Sequence, residues 1–198
     1  MTERPDIPAL VGSRICHDLI SPLGAIGNGV ELLQLAGGPI SPELALIAES
    51  VASANARIRF YRISYGAASA DQRIGRPEVT GVLADISRGS RHTFDWQVAS
   101  DVSRNDAKLA FLLIQCLESA LPFGGRIVIQ SSVNRWRLTG SAPRMKVDDD
   151  LWSLLQNGVL PERLRPEQVH FALAADEAAR RGLSLRHEIG AEAITLSF

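Results

Sequence analysis

The chain has 198 residues, of which 45% are hydrophobic and 22% are charged, as in a globular protein. Its formal net charge of −1 provides no overall positive field, so we expect neither nucleic acid nor a membrane as a partner. The widely separated Cys16 and Cys116 argue against a disulfide framework or a zinc knuckle. No apolar run approaches the ~18 residues of a membrane span, and the N-terminus does not resemble a signal peptide, so we expect a cytoplasmic protein.

Residues 7–66 are predicted to form two long helices. One apolar stripe with helical spacing follows the first: Val11, Ile15, Leu19, Leu23, Ile26, Val30 and Leu33. Gly37-Gly38-Pro39 is predicted to end this helix, and Ser41-Pro42-Glu43 to begin the next. The second stripe comprises Leu44, Ile47, Val51, Ala54, Ile58 and Tyr65, and Arg62 interrupts it. A lone hairpin leaves much of both stripes exposed. A four-helix homodimer, or coverage by residues 71–198, would bury them, and we favour the homodimer.

The second half changes to a mixed pattern after a small, polar linker at residues 67–76. Helices are predicted at 77–88, 105–121, 149–156 and 166–181, and strands at 93–98, 126–132, 134–139, 183–188 and 193–198. The helix at 105–121 is strongly apolar, which indicates a buried position. This order of elements predicts an α/β sandwich with a mostly antiparallel sheet.

His17 lies two residues from Ile15 and from Leu19, about 200° around the helix, and is therefore predicted to face away from the stripe. A histidine in this position is a solvated surface residue, a metal ligand or a nucleophile. The other histidines stand at no metal-ligand spacing, and no nucleophile-elbow motif supports a Ser-His-Asp triad. Pro22 is predicted to kink the helix just after His17. Gly24 leaves room for a protein to approach.

The stretch from His17 to Leu23, HDLISPL, resembles the H-box of two-component histidine kinases, H-[DE]-L-[RK]-[TSN]-P-L. Ile20 replaces the usual basic residue. The second half resembles a kinase ATP-binding domain that has lost its motifs. Ser119 and Gln115 stand where that pattern has its metal-binding asparagine and a partner. Residues 147–152 lack the glycines of a phosphate-binding loop. The glycine-rich lid of the kinase ATP site is reduced to Gly182 and its neighbours.

An intact H-box joined to a degenerate kinase domain resembles the ChpT-type histidine phosphotransferases. The resemblance implies an α+β chain: a helical hairpin, residues 1–70, that forms a dimeric four-helix bundle, and a degenerate histidine-kinase/gyrase-type (Bergerat-like) α/β sandwich, residues 71–198. His17 would be the phosphoacceptor and Asp18 would orient its imidazole. Antiparallel pairing of the helices would put residues 57–64 level with His17. The residues implied beside the phosphoryl group or partner are Arg14, Ile20, Ser21 and Gly24, with Pro22 as the kink.

The implied partners are the receiver domain of a hybrid histidine kinase and downstream response regulators. The receiver would supply Mg²⁺, so we expect no metal or cofactor on this chain and no autophosphorylation from ATP. Two alternatives stay open from the residues alone. One is an active histidine kinase with a divergent ATP site, and the other is a non-catalytic docking or inhibitor module of two-component proteins.

Overall fold

The computed structural model describes residues 6–36, 41–69, 71–132 and 135–198. The helices are α1 (Ile7–Leu35), α2 (Pro42–Ser64), α3 (Arg76–Arg88), α4 (Arg104–Ala120), α5 (Asp149–Asn157) and α6 (Val169–Arg180). The strands are β1 (Arg73–Ile74), β2 (His92–Trp96), β3 (Val102–Ser103), β4 (Gly125–Ser132), β5 (Arg135–Ser141), β6 (Arg186–Ile189) and β7 (Ala193–Ser197). A 3₁₀ turn at Pro166–Gln168 precedes α6.

The two N-terminal helices form in the region where periodicity predicts them, and the start signal of the second is confirmed. Asp6 caps α1 by accepting a hydrogen bond from the backbone N–H of Ala9, and α1 continues unbroken through Pro22. Ser41 caps α2 by accepting a hydrogen bond from the N–H of Leu44 at 3.2 Å, as the Ser-Pro-Glu signal predicts. The predicted glycine stop at 37–39 lies outside the described residues.

The helices α1 and α2 approach each other closely where α2 ends. A Cβ added at Gly12 would lie 2.8 Å from the carbonyl oxygen of Tyr65, closer than real Cβ contacts, so only glycine fits there without a shift. One residue further along α1, Ser13 Oγ accepts a hydrogen bond from the N–H of Ala67 at 2.8 Å. These contacts fix the spacing of the hairpin at the level just before His17.

The predicted apolar stripe of α1 is mostly uncovered in the single chain. Ile15 and Ile26 are 54% and 49% exposed, whereas the buried residues of α1 are Ala9, Cys16 and Val30. Val30 belongs to the stripe, whereas Ala9 and Cys16 do not, so the buried face is offset from the stripe near the close approach at Gly12. An uncovered apolar face is consistent with a second hairpin, and the homodimer remains a prediction.

The second half is built on a five-stranded sheet with the order β2-β4-β5-β7-β6. The pair β2–β4 is parallel and the other three pairs are antiparallel, which confirms the predicted mostly antiparallel sheet. Together with the helical N-terminal part this gives the expected α+β fold. The central strands β4 and β5 alternate buried and outward residues, so one face of the sheet is covered by helices.

Helix α4 is the centre of the molecule. It packs between the sheet, α2 and α6, and this explains why its sequence is apolar around most of its surface. The residues of α4 with no exposed surface are Ala107, Leu109, Ala110, Phe111, Leu112, Leu113, Ile114, Cys116 and Leu117. Because α2 packs directly on α4, the hairpin that carries His17 shares a core with the second half.

Two sequence predictions need correction in this half. The segment 67–76 is not only a linker, because β1 lies within it and pairs antiparallel with β3. Two-residue strands carry no periodicity, so the pattern could not reveal them. The strand predicted at 183–188 begins only at Arg186, because Gly182 adopts a φ of +64° in the turn that ends α6.

Candidate functional site

The side chain of His17 projects from α1 into solvent, with 86% of its surface exposed. This agrees with the predicted position away from the apolar stripe. Its Nδ1 lies 3.0 Å from Asp18 Oδ1, within hydrogen-bonding distance. Among the described residues, Nε2 has no hydrogen-bond partner, so the nitrogen opposite Asp18 is free to react.

Asp18 links His17 to Arg14. The second carboxylate oxygen, Oδ2, accepts a hydrogen bond from Arg14 Nε at 2.7 Å. The hydrogen bond with His17, followed by the one from Arg14, holds the pKa of the Asp18 carboxyl below its usual value. Asp18 therefore stays ionised at neutral pH and can stabilise a positive charge on the imidazole. The three residues form one line of hydrogen bonds along the exposed face of α1.

Pro22 affects the same turn of the helix. It has no N–H, so the carbonyl of Asp18, four residues earlier, lacks its helical donor. Ser21 is exposed, and a Cβ added at Gly24 would meet no atom within 4 Å, so the surface beyond the proline is open. The predicted site residues thus lie together on one accessible surface of α1, and their individual roles remain predictions.

A cleft of about 550 Å³ lies beside His17, between the hairpin and the second half. Ile20, predicted as a partner-facing residue, is half-buried and lines it, together with Arg62 of the predicted 57–64 region. The other lining residues are Ser13, Gly66, Ala67, Gln72, Arg73, Ile74, Glu78 and Arg104. His17 therefore stands at the edge of a cleft whose opposite wall comes from the second half.

The sequence places Arg62 only within the region level with His17, and it does not single out Arg73 or Arg104. One available signal was the position of Arg62, which interrupts the apolar stripe of α2. Arg73 and Arg104 gave no comparable signal, because β1 and the start of α4 reach His17 only through the tertiary fold.

The side chains in the positions of the kinase metal-binding pair are engaged within the protein. Tyr65 Oη donates to Gln115 Oε1 at 2.5 Å, and Gln115 Nε2 donates to the carbonyl of Phe111 at 3.2 Å. Ser119 Oγ lies 3.1 Å from Nε2 of His170. The Ser119 hydroxyl donates to the carbonyl of Gln115 at 2.9 Å. Burial lowers the pKa of His170 to about 4, so the imidazole that contacts Ser119 is neutral.

The other degenerate motifs serve as helix ends. Asp148 caps α5 through a hydrogen bond from the N–H of Leu151, at 3.4 Å. Gly182, the remaining lid glycine, has a φ of +64° at the end of α6, where the N–H of Leu183 donates to the carbonyl of Ala178 at 2.9 Å. Both residues thus have a structural use that requires no nucleotide.

The comparisons with known proteins decide the family. The model of the histidine phosphotransferase C-terminal domain matches residues 76–193, which is more than half of the chain. The chain belongs to the histidine phosphotransferase family. The protein phosphotransferase ChpT of Brucella abortus (strain 2308) is 39% identical to it over 127 residues, which are 63% of this chain and 60% of the relative. The match thus spans about three fifths of that curated relative.

A solved structure matches the whole fold of this member of the family. A bacterial phosphotransferase superposes on it with a TM-score of 0.69 at 29% identity, over 100% of this chain and 97% of the other. The likeness supports the arrangement of hairpin and α/β half described above. Within the described ranges, no helix has both the length and the apolar character needed to cross a membrane.

Proposed function

We propose that this chain is a phosphorelay protein in which His17 takes a phosphoryl group from one receiver-domain aspartate and passes it to another. The observation that carries the proposal is the exposed imidazole of His17, with Nδ1 3.0 Å from Asp18 Oδ1. A ring proton held at Nδ1 by the carboxylate leaves the lone pair on Nε2, the nitrogen without a partner in the described structure. A neutral imidazole in this tautomer is a nucleophile at neutral pH.

The transfer balances without a further reactant. The Nε2 lone pair attacks the phosphorus of an aspartyl phosphate, the P–N bond forms, and the P–O bond to the aspartate breaks with its electron pair leaving on the carboxylate. The imidazole ring becomes positively charged, and Asp18 stabilises that charge through Nδ1–H. In the second transfer the carboxylate of another receiver attacks phosphorus, and the P–N electron pair returns to Nε2.

The proposed partners are the receiver domain of a hybrid histidine kinase and downstream response regulators. Phosphoryl transfer depends on positioning and charge neutralisation, and we propose that the receiver contributes Mg²⁺ for both. This chain then contributes the histidine and a surface beside it. Because His17 is exposed on an open helix face, the aspartate of an approaching domain can reach it without any rearrangement of α1.

We further propose that the chain does not charge itself from ATP. Ser119 and Gln115 are held by His170 and Tyr65, and the glycine retained from the lid serves as the end of α6. A phosphate loop needs successive backbone N–H groups at close approach, which glycines provide. The chain lacks those glycines around Asp148.

A homodimer is the proposed assembly, built on the uncovered stripe of α1. Side chains such as Ile15 and Ile26 are about half exposed, and on α2 Leu46 and Ile47 are 64% and 47% exposed. Exposed apolar side chains of this kind on two helices are covered when a second hairpin completes a four-helix bundle.

The decisive experiment is a reconstituted relay. A hybrid kinase with a radiolabelled phosphoryl group on its receiver is mixed with the wild-type chain, His17→Gln or His187→Gln, and then with a response regulator. We expect the wild type and His187→Gln to become labelled and to pass the label on, and His17→Gln to do neither.

Two outcomes would contradict the proposal. Relay that persists in His17→Gln would mean that another group carries the phosphoryl, and a wild type that binds the kinase without labelling would indicate a docking or inhibitor module. Incubation with labelled ATP alone tests the remaining alternative, because label on His17 in the absence of any kinase would identify an active histidine kinase.

A further inference from the structure

Arg62 stands on the wall of the cleft that His17 borders. It lies near the end of α2, and half of its side chain is exposed. Its guanidinium reaches Glu78 of α3, with Nη2 3.4 Å from Oε1, and Glu78 is itself 45% exposed. An exposed ion pair at this distance contributes little to stability and is readily exchanged for a stronger partner.

The other two arginines of the cleft are committed to the backbone. Arg104 donates to the carbonyl oxygens of Arg62 and Ile63, at the end of α2, and Arg73 donates to the carbonyl of Asp101. Arg62 is therefore the cleft arginine whose described contact is only to an exposed carboxylate. Three arginines against the single carboxylate of Glu78 leave an excess of two positive formal charges around the cleft.

The backbone that carries Arg62 is held firmly in relation to α1. Arg104 anchors the carbonyl of Arg62, while Gly12 and Ser13 set the contact between α1 and the end of α2. A fixed backbone with an exchangeable guanidinium suits a group that must meet a charge appearing on His17. A phosphoryl group brings a charge of about −1.5 to −2 and three acceptor oxygens, which match the planar fork of an arginine.

We propose that Arg62 binds the phosphoryl group on His17, exchanging its contact with Glu78 for the phosphoryl oxygens. This inference rests on the proposed function, because it requires that His17 carry a phosphoryl group. The contact neutralises charge in the phosphorylated state, and no bond is formed or broken by Arg62. Glu78 holds the guanidinium at the cleft while His17 is unmodified and is repelled once the phosphoryl group arrives.

The first test compares the rate at which phosphorylated receiver labels Arg62→Ala, Arg62→Lys and Arg59→Ala. Arg59 is the matched control, because it lies on the same helix, is 43% exposed and pairs with Asp85 at 2.8 Å, outside the cleft. We expect Arg62→Ala to be slower by about 10- to 100-fold, as for a lost charge-assisted hydrogen bond. Arg62→Lys should recover part of the rate, since it restores the charge without the fork. Arg59→Ala should match the wild type.

The second test observes the phosphoryl group directly and needs no partner. Each protein is phosphorylated with phosphoramidate and titrated by ³¹P NMR, with His17→Gln identifying the resonance of His17. We expect the phosphoryl group of the wild type to gain its next proton at lower pH than in Arg62→Ala, because the guanidinium favours the more charged form. Arg62→Gln provides a folded replacement if Arg62→Ala has a reduced melting temperature.

The results separate the two proposals. Suppose that the wild type relays through His17, but that the Arg62 variants have an unchanged ³¹P titration and an unchanged labelling rate. This result would overturn the role of Arg62 and leave the proposed function standing. A wild type that accepts no phosphoryl group from any receiver would overturn the proposed function, whatever the titration of the chemically phosphorylated protein. A loss of rate equal in Arg59→Ala and Arg62→Ala would identify a general effect of α2 charge and would also overturn the inference.

Discussion

At the scale of single residues, the chemistry of the site is local. His17, Asp18 and Arg14 lie within five positions on one helix. The bond between Arg14 and Asp18 follows from the i,i+4 spacing and the contact between His17 and Asp18 joins adjacent residues, so a short stretch of sequence is enough to propose the phosphoacceptor and its neighbour. The pairing of Ser119 with His170 is the opposite case. These residues are 51 positions apart, and only the packing of α4 against α6 brings them together.

The burial of His170 predicts a pH dependence of stability. The pKa of His170 falls to about 4 on folding because burial disfavours the charged ring, whereas in the unfolded chain it is about 6.5. Between these values the unfolded state binds more protons, so the free energy of unfolding should rise as the pH increases from 4 to 6.5. Above pH 6.5 the contribution of neutral His170 to stability should be complete. The contribution of this one group is roughly 3 kcal/mol at most.

Urea denaturation of the wild type and of His170→Gln at pH 7 and at pH 4.5 checks this prediction. The loss of stability at the lower pH should be smaller in the variant, which has no imidazole to protonate at that position. Equal losses in the two proteins would show that other groups cause the acid sensitivity.

At the scale of elements, α1 is a helix with two exposed faces of different character. One carries His17 and the other carries the apolar stripe, and both follow from the helical period. The helical period does not predict which face of α1 packs on α2. Near the close approach at Gly12 the small residues Ala9 and Cys16 are buried and Ile15 is exposed, whereas Val30 of the stripe is buried further along the helix.

If the dimer is built on the apolar stripe of α1, a charged substitution within the stripe should separate the two protomers. We expect Ile26→Arg to lower the mass measured by light scattering from twice 21.4 kDa to 21.4 kDa, because a buried, unpaired guanidinium is costly at a dimer interface. Asn28→Arg is the control, since Asn28 is exposed on the same helix outside the stripe. A wild type of 21.4 kDa, or no change in Ile26→Arg, would contradict the homodimer.

At the scale of the whole molecule, the hairpin is tied to the second half by a cluster of charges of which Lys108 and Glu177 are buried. Lys108 of α4, with its side chain 8% exposed, lies 3.4 Å from Glu177 and 3.6 Å from Asp6, the N-cap of α1. Arg180 of α6 donates to Asp6 at 2.7 Å and to Glu177 at 3.0 Å. The first turn of α1 is thereby joined to α4 and α6, which fixes the wall of the cleft relative to His17.

Removal of Lys108, the central cation of this cluster, should lower the free energy of unfolding. We expect Lys108→Met to lower the free energy of unfolding by about 1–3 kcal/mol, because the buried carboxylate of Glu177 then keeps only Arg180 as a partner. Arg165→Ala breaks the pair with Glu167, in which both side chains are about two thirds exposed, and should change stability by less than about 0.5 kcal/mol. Urea denaturation measures both, and similar values for the two variants would contradict this account.

The sequence by itself determined the two long helices, the N-cap of α2, the α+β class and the candidate phosphoacceptor, because periodicity, capping and the H-box are patterns of neighbouring residues. The tertiary structure alone decided the short β1–β3 pair, the burial of Ser119 against His170, and the cleft that brings Arg62 of α2, Arg73 of β1 and Arg104 of α4 to one side of His17. Those features depend on contacts between residues far apart in the chain, and the packing of α2 and α6 on α4 creates them.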